Sequence, residues 1–252
     1  SVWTYPNAYN PSEIKMHSKA SWEHSLEEFF EHYDTEIKAS FVAVDHHSVV
    51  KGILSVIEEQ KPALVVTGTR GKSIIKEALF GSTTKALVEQ SPIPVMAIPE
   101  NAIQHDYNKV LYASDFREVD LEAIKKLVEL VKPYTPEIKI LHITTKNEYQ
   151  GFEKMEWFEE LIKDNIDYEN MSFELVLSDD LFQALYKFMA KDDFDLLVML
   201  EKERNGIFDQ LFHEDLVKKM EFRTWIPLLS YNEFYLSVAG DVDVKKRDRI
   251  EH

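Results

Sequence analysis

The segment that decides the fold runs from Ala63 to Ser82 and reads ALVVTGTRGKSIIKEALFGS. Its first four residues, Ala63 to Val66, form a short apolar run that is typical of a buried parallel strand. Gly68 and Gly71 then indicate a turn, and apolar residues recur at helical spacing from Ile74 to about Gln90. The sequence therefore predicts a strand, a glycine turn and a helix.

Such a turn is a natural site for an anion. Backbone N–H groups and the positive end of the helix dipole meet there, at the carboxyl end of the strand. Glycine leaves room for a phosphate because it has no Cβ, and it accepts the positive φ angles that such loops use. Arg70 and Lys72 could neutralise phosphate charge, or they could be ordinary exposed cations.

Two well-known phosphate-binding motifs do not fit this segment. A Walker loop needs a glycine five residues before Gly71, but that position is Val66. A dinucleotide-binding fingerprint needs more closely spaced glycines. The spacing that is present is Gly68, two residues, Gly71, nine residues, and then Gly81 followed by Ser82.

This spacing, with the strand before it and the Pro-Ile-Pro94-Val segment after it, resembles the nucleotide-binding signature of the universal stress protein family. The resemblance implies an α/β fold with a five-stranded parallel sheet and helices on both faces. It also implies binding of ATP or a related adenine nucleotide, with or without Mg²⁺. The residues implied to bind the nucleotide are Gly68, Thr69, Arg70, Gly71, Lys72, Gly81, Ser82 and Thr83. The alternative is a glycine turn that only packs a helix closely against a sheet.

The composition limits the classes of function. The chain has 252 residues, 44% of them hydrophobic, which is enough for one large or two ordinary domains. A net charge of −16 argues against nonspecific binding to nucleic acid or to anionic membranes, which needs a basic surface. There is no cysteine, so disulfides, thiolate metal sites and cysteine nucleophiles are excluded. No apolar run approaches the roughly 20 residues of a membrane span and no signal-peptide pattern is present, so we expect a cytoplasmic protein.

Strands and helices alternate along the chain, and the pattern occurs twice. The other predicted helices are 18–33, 49–60, 121–131, 155–166, 181–189 and 207–220, and the other predicted strands are 1–9, 40–44, 95–98, 109–114, 138–143, 172–177, 194–200 and 225–229. Leu79-Phe80-Gly81-Ser82 aligns with Leu211-Phe212-His213-Glu214 at a shift of 132 residues (211 − 79). This is the pattern of a tandem repeat of one α/β domain with a parallel sheet.

We therefore predict two tandem Rossmann-like domains of the universal stress type. They span residues 1–100 and 101–232, and residues 233–252 form a tail. The matching last strands, Pro94 to Pro99 and Pro227 to Ser230, are expected to pair within the chain, which would cover both edges. A homodimer is a further alternative for the assembly of the protein.

The first half departs from the family pattern at its start. It aligns as if Val2 lay near the beginning of a second strand, so that a first strand and helix would precede Ser1. A sheet without that strand would leave backbone N–H and C=O groups unpaired. The apolar segment Phe234 to Gly240 is one candidate to fill the gap.

The second half departs at the glycine turn. The residues there are Leu200, Glu203, His213 and Glu214, in place of Gly68, Gly71, Gly81 and Ser82. Side chains would crowd a phosphate and two carboxylates would repel it, so we expect nucleotide in the first half only. Asp115 follows the first strand of the second half, where the family has an aspartate that contacts adenine. A role as a helix N-cap or turn residue is an equal alternative.

No residue pattern indicates efficient catalysis. His46 and His47 are adjacent on a predicted strand end, so their side chains would point to opposite faces and could not easily hold one metal. Ser82 has no partnered histidine and aspartate. The leading hypothesis is a nucleotide-binding stress-response protein with at most weak ATP hydrolysis. The alternative is a regulatory or interaction module that binds no nucleotide, as a soluble part of a longer protein.

Overall fold

A computed structural model describes residues 18–33, 37–69, 81–100, 102, 107–144, 151–201 and 226–236. The chain forms two units, one made of Val2–Pro62 and the other of Ala63–His252 together with Ser1.

Two helices account for most of the described part of the Val2–Pro62 unit. They are α1 (Lys19–Glu31) and α2 (Val49–Gln60). Each begins after a serine, Ser18 or Ser48, whose hydroxyl accepts the backbone N–H three residues later, at 3.3 and 3.4 Å. The two helices predicted from the sequence in this region are therefore confirmed.

The strand predicted at residues 40–44 is not formed. These residues belong to no strand ladder, and the backbone N–H of Ala43 donates instead to Glu23 Oε1 at 3.0 Å. Val42 and Val44 are 47% and 42% exposed. The prediction is wrong because a strand needs a neighbouring strand, and the part of this unit that the structure describes contains none. The strand predicted at 1–9 lies outside the described residues.

The described part of the Ala63–His252 unit contains one seven-stranded sheet. Its strands are β1 (Val65–Gly68), β2 (Val95–Ile98), β3 (Lys109–Ala113), β4 (Glu137–Thr144), β5 (Met171–Leu177), β6 (Leu196–Glu201) and β7 (Leu228–Asn232). Their order is β1-β2-β7-β6-β3-β4-β5. All neighbours are parallel except β2 and β7. The run β7-β6-β3-β4-β5 is thus the five-stranded parallel sheet that the resemblance implies for the second half.

The antiparallel pair β2–β7 joins the strands of the two halves. Met96 lies opposite Leu229, and Ala97 lies opposite Leu228. Ala97 and Leu229 are completely buried. The prediction that the last strands of the two halves pair within the chain is therefore confirmed, whereas the domain boundaries at residues 100 and 232 stay a prediction.

Four helices of the described residues flank this sheet. They are α3 (Ser82–Gln90), α4 (Glu118–Val131), α5 (Gly151–Asn165) and α6 (Leu181–Asp192). α4 begins at Glu118, three residues before the predicted Leu121. The prediction started too late because Glu118 and Asp120 interrupt the apolar pattern. Acidic residues are nevertheless favourable in the first turn of a helix. The helix predicted at 207–220 lies outside the described residues.

The strand β7 also differs from its prediction, since it begins at Leu228 rather than at Trp225. Pro227 cannot donate to a ladder, and only its carbonyl oxygen is used, by Leu197 N–H at 3.0 Å. Residues 233–236 after β7 are helical. The suggestion that the segment from Phe234 fills a strand position is therefore wrong for residues 234–236, and the rest of that segment lies outside the described residues.

The hydrophobic core lies between the central strands and the helices of the second half. Its fully buried members include Val110, Tyr112, Ala123, Ile124, Leu127, Ile138, Ile140, Phe158, Val198 and Leu229. Apolar residues recur three and four positions apart on α4, so one face of that helix covers the sheet. The core holds the carboxyl ends of β3, β4 and β6 in fixed positions.

Candidate functional site

The strand that leads into the glycine turn is β1. It begins at Val65 and ends at Gly68, so Gly68 is the last residue of the strand and not the first of the turn. Thr69 follows it, is 4% exposed, and donates its N–H to the carbonyl of Ile98 on β2 at 2.9 Å. The sequence prediction placed this strand two residues too early because it followed apolar character, whereas the ladder continues through Thr67 and Gly68.

The helix after the turn begins later than predicted. Gly81 has φ −62° and ψ 153° and is the N-cap of α3, so a continuous helix from Ile74 to Gln90 is wrong at this residue. Glycine is a poor helix former, which favours a helix start here rather than a helix interior. Residues 70–80 lie outside the described residues.

Two hydrogen bonds tie the start of α3 to the end of β1. Gly81 N–H donates to the carbonyl of Thr69 at 2.7 Å, and Thr84 Oγ1 donates to the carbonyl of Gly68 at 2.9 Å. Thr84 is buried, so its hydroxyl holds the first turn of the helix against the strand. The predicted site residues Gly68, Thr69, Gly81, Ser82 and Thr83 are therefore brought to one place at the carboxyl end of β1.

The start of α3 lacks a side-chain cap. Gly81 has no side chain to accept the N–H groups of that turn, and the turn contains no acidic residue. The first N–H groups of any helix have no partner within the helix, and together with the helix dipole they attract negative charge. Ser82 is exposed and Thr83 half-buried, so both hydroxyls lie near the surface.

The expected use of positive φ is not observed at the described glycines. None of them has a positive φ. Gly81 therefore contributes the absence of a side chain at the helix start rather than an unusual backbone conformation. Arg70, Gly71 and Lys72 lie outside the described residues, and their roles in phosphate binding stay predictions.

The loop after β3 carries Asp115, which is half-buried. The N-cap of α4 is Arg117, so the alternative that Asp115 caps this helix is wrong. Between them Phe116 has φ 51°, a left-handed conformation that non-glycine residues seldom adopt. Its N–H donates to Ser114 Oγ at 2.8 Å, and its ring packs 4.8 Å from that of His142.

A buried carboxylate holds this loop in place. Asp120 accepts three hydrogen bonds: from Tyr112 Oη at 2.8 Å, from Ser114 Oγ at 3.1 Å and from Arg117 N–H at 3.1 Å. Burial raises the pKa of Asp120 above its ordinary value, and the three hydrogen bonds oppose that rise. Burial and the same carboxylate raise the pKa of Tyr112 well above its ordinary value, so its hydroxyl remains a donor.

The guanidinium of Arg117 links the same loop to the end of β7. It donates from both terminal nitrogens to the two carboxylate oxygens of Glu233, each at 2.8 Å. The neighbouring Asn232 donates from Nδ2 to the carbonyl of Glu89 at the last turn of α3, at 2.8 Å. Residues 232 and 233 thus connect α3 of the first half with the β3–α4 loop of the second.

We expect the pair of Arg117 and Glu233 to contribute about 1 kcal/mol of coupling to the free energy of unfolding. The side chains are 33% and 26% exposed, so solvent screening limits the gain. The measurement is a double-mutant cycle of Arg117→Ala and Glu233→Ala by urea unfolding. The matched control is the exposed pair Lys125 and Glu122, at 2.9 Å, whose coupling should be a few tenths of a kcal/mol. Equal coupling in both cycles would contradict the special role of the forked pair.

Sequence reasoning did not find the roles of Tyr112, Ser114, Asp120 or Glu233. Tyr112 and Ser114 flank a strand end and look like ordinary core and turn residues. Asp120 could have been found, because an acidic residue at the third position of a helix accepts the N-cap N–H in a capping box. The role of Glu233 depends on a contact across 116 residues and leaves no local signal.

Other candidate chemistry receives no support from the described residues. The rings of His46 and His47 stack at 4.3 Å, so the prediction that their side chains point to opposite faces is wrong, because these residues are not part of a strand. His46 Nδ1 accepts the N–H of Ser48. No cluster of three or more His, Asp or Glu side chains able to hold a metal ion occurs in the ranges that the structure describes. In those same ranges, none of the helices has both the length and the apolar character that crossing a membrane requires.

The fold defines a class of α/β protein with a mostly parallel, Rossmann-like sheet. Residues 1–99 match the model of the Universal stress protein family. This segment is similar to the universal stress protein family.

Solved structures of similar fold extend the comparison to both halves. A universal stress protein from Archaeoglobus fulgidus DSM 4304 has a TM-score of 0.56 at 18% identity, over 88% of this chain and 82% of its own. A putative universal stress protein from Pseudomonas aeruginosa UCBPP-PA14 has a TM-score of 0.56 at 11% identity, over 90% of this chain and 83% of its own. These likenesses concern the fold alone.

One curated relative is similar over a shorter stretch. It is an uncharacterized protein of Schizosaccharomyces pombe, 36% identical over 61 residues. The matched stretch is 24% of this chain and 10% of the length of that protein.

Proposed function

We propose that the chain is a universal stress protein that binds ATP or a related adenine nucleotide at the turn between β1 and α3. The observation that carries the proposal is the start of α3, where Gly81 leaves the first-turn N–H groups without a capping side chain. Hydrogen bonds from Gly81 and Thr84 hold that helix start against the end of β1. A phosphate at this place would accept N–H groups and meet the positive end of the helix dipole.

The remaining contacts of the proposed site follow from the family resemblance. Ser82 and Thr83 would donate their hydroxyls to phosphate oxygens, and Arg70 and Lys72 would offset phosphate charge. Gly68 and Gly71 would let the phosphates approach the backbone. We propose binding and signalling rather than turnover, which a time course of ATP loss tests directly.

We propose that the second half binds no nucleotide. Leu200 stands where the first half has Gly68, and it is buried within β6. Glu203 and Glu214 replace Gly71 and Ser82 in the sequence and would add negative charge beside a phosphate. Titration should therefore give at most one site per chain, and a stoichiometry of two would overturn this part of the proposal.

Replacing Gly81 by aspartate is expected to weaken ATP binding without lowering the stability of the fold. Aspartate is a good N-cap and the backbone of Gly81 suits any residue, so the free energy of unfolding should stay equal or rise by a few tenths of a kcal/mol. The new carboxylate would occupy the N–H groups and repel phosphate, so affinity should fall at least about tenfold, or about 1.4 kcal/mol. Calorimetry with ATP and thermal unfolding measure the two effects.

The matched control is Gly81→Asn, which has nearly the same shape and also caps helices but carries no charge. It should keep more of the ATP affinity than Gly81→Asp, because only the aspartate repels the phosphate. Equal ATP binding by the wild type and the aspartate variant would show that the start of α3 is not the site.

A second candidate function is an interaction module. Among the described residues, β1 is the last strand at one end of the sheet, and this position favours such a module. No detectable nucleotide binding by the wild type would leave this as the better description.

A further inference from the structure

Residues 232 and 233, at the end of β7, are each bound to a different half of the chain. Asn232 Nδ2 donates to the carbonyl of Glu89 in the last turn of α3, at 2.8 Å. The carbonyl groups of a last helical turn have no partner within the helix, so Asn232 supplies one. Glu233 accepts both terminal nitrogens of Arg117, each at 2.8 Å. Because the two residues are adjacent in the chain, a displacement of the end of α3 also moves Glu233.

The loop between β3 and α4 is held in a strained conformation. Phe116 has φ 51°, and its buried ring packs 4.8 Å from that of His142. Arg117 follows directly, so its bonds to Glu233 help to keep the loop in a conformation that the backbone alone disfavours. A strained element of this kind depends on its supports, and the loop is therefore sensitive to the position of Glu233.

The helix α3 connects this support to the proposed nucleotide site. Its start is held against the end of β1 by the hydrogen bonds of Gly81 and Thr84, and its end is held by Asn232. The helix has 9 residues, which corresponds to a length of about 14 Å. A hydrogen-bonded helix of this length is a rigid element, so a change at its first turn reaches its last turn.

We propose that the second half responds to nucleotide in the first half through α3, residues 232–233 and the loop between β3 and α4. This inference rests on the proposed function of the turn between β1 and α3. A phosphate at the start of α3 would restrain the helix, and Asn232 and Glu233 would pass the restraint to Arg117. The loop would then open less often with nucleotide bound, and the second half would act as the responding domain.

Hydrogen exchange of the full chain, with and without ATP, tests the proposal. The informative amides are those of Phe116 and Arg117, which donate to Ser114 Oγ at 2.8 Å and to Asp120 Oδ2 at 3.1 Å. Calorimetry first establishes the ATP concentration that saturates the site. At that concentration both amides should exchange at least about fivefold more slowly than without ATP.

The matched control amide is that of Asp180. Like the Phe116 amide, it donates to a serine hydroxyl two residues earlier, here Ser178 Oγ at 3.1 Å. It lies in the loop after β5, the strand at the opposite end of the sheet from β1. Its exchange should remain nearly unchanged when ATP binds.

Glu233→Ala removes the connection without altering the proposed nucleotide site. With ATP at saturation, this variant should show no slowing at Phe116 and Arg117. The matched control is Glu122→Ala on α4, which removes the exposed ion pair with Lys125 at 2.9 Å. This control variant should respond to ATP as the wild type does.

A second arm of the experiment needs no nucleotide. Gly81→Asp places a carboxylate at the start of α3, where it would accept first-turn N–H groups as a phosphate would. This variant should slow exchange at Phe116 and Arg117 at least about twofold, and adding Glu233→Ala should abolish the slowing. If calorimetry detects no ATP binding, the proposed function and nucleotide as the trigger are overturned, while this arm still decides whether the connection exists.

Three further outcomes would overturn the proposal. Unchanged exchange at Phe116 and Arg117 with ATP bound would mean that the loop does not respond. An equal slowing at Asp180 would mean that ATP only stabilises the whole fold. Slowing that persists in Glu233→Ala would mean that Glu233 does not carry the connection.

Discussion

Replacing Asp120 by alanine is expected to lower the free energy of unfolding by about 3 kcal/mol or more. The carboxylate accepts hydrogen bonds from Tyr112, Ser114 and the Arg117 N–H, and all three donors would lose their acceptor. Leaving a buried donor unsatisfied costs about 1–3 kcal/mol, which is why several such losses exceed the cost of an ordinary surface substitution. Urea unfolding of the full chain measures the difference.

Two variants show whether the loss comes from the hydrogen bonds. Asp120→Asn keeps one carbonyl oxygen as an acceptor and removes the burial cost of a charge, so it should lose clearly less stability than Asp120→Ala. Tyr112→Phe removes one donor together with its need for a partner and should cost about 1 kcal/mol. An alanine variant as stable as the asparagine variant would mean that the three donors find other acceptors.

The same carboxylate predicts a dependence of stability on pH. The pKa of Asp120 is raised in the folded protein above the ordinary value of 3.8, chiefly by burial. Between the ordinary and the raised pKa the folded state binds more protons than the unfolded state, so this group's contribution to stability falls as pH rises through that window. The variant Asp120→Asn lacks this group. Its free energy of unfolding, relative to that of the wild type, should therefore increase from pH 4 towards pH 7. A shift in favour of the wild type would contradict the direction of the pKa change.

Sequence periodicity predicted most of the fold because the second half follows simple rules. Its central strands β3 and β6 are almost wholly buried, and its helices keep one apolar face. The strands β4 and β5 and the helix α6 also lie within a few residues of their predicted places. Pairing of β2 with β7 followed from the internal repeat. The prediction of a strand at 40–44 was wrong, because alternating apolar residues do not indicate whether a neighbouring strand is present to form the ladder.

The candidate site was predictable in its residue types and less so in its geometry. The glycine spacing predicted Gly68 and Gly81 as site residues. It could not show that Gly68 ends the strand or that α3 starts only after Gly81. Those boundaries depend on the bonds from Thr84 and Gly81 to the strand end, which cross 16 and 12 residues (84 − 68 and 81 − 69). Contacts at such separation follow from packing and are not visible as a local pattern.

Replacing Leu229 by alanine is expected to lower the free energy of unfolding by about 3 kcal/mol. Leu229 is completely buried, lies opposite Met96 in the β2–β7 pair, and belongs to the main hydrophobic core. Removing a buried leucine side chain costs about 2–5 kcal/mol, because burial is lost and a cavity remains. The matched control is Leu177→Ala, since Leu177 is 51% exposed and its replacement should cost less than about 0.5 kcal/mol.

Hydrogen exchange of the Leu229→Ala variant would also show whether the two halves unfold together. Val65 N–H donates to the carbonyl of Pro94, just before β2 of the first half, and Leu197 N–H donates to the carbonyl of Pro227, just before β7 of the second. Because β2 and β7 are neighbours in one continuous sheet, we expect the opening free energies of both amides to fall by a similar amount. A fall at Leu197 with no change at Val65 would mean that the halves open independently, in which case the β2–β7 pair joins two domains without coupling their stability.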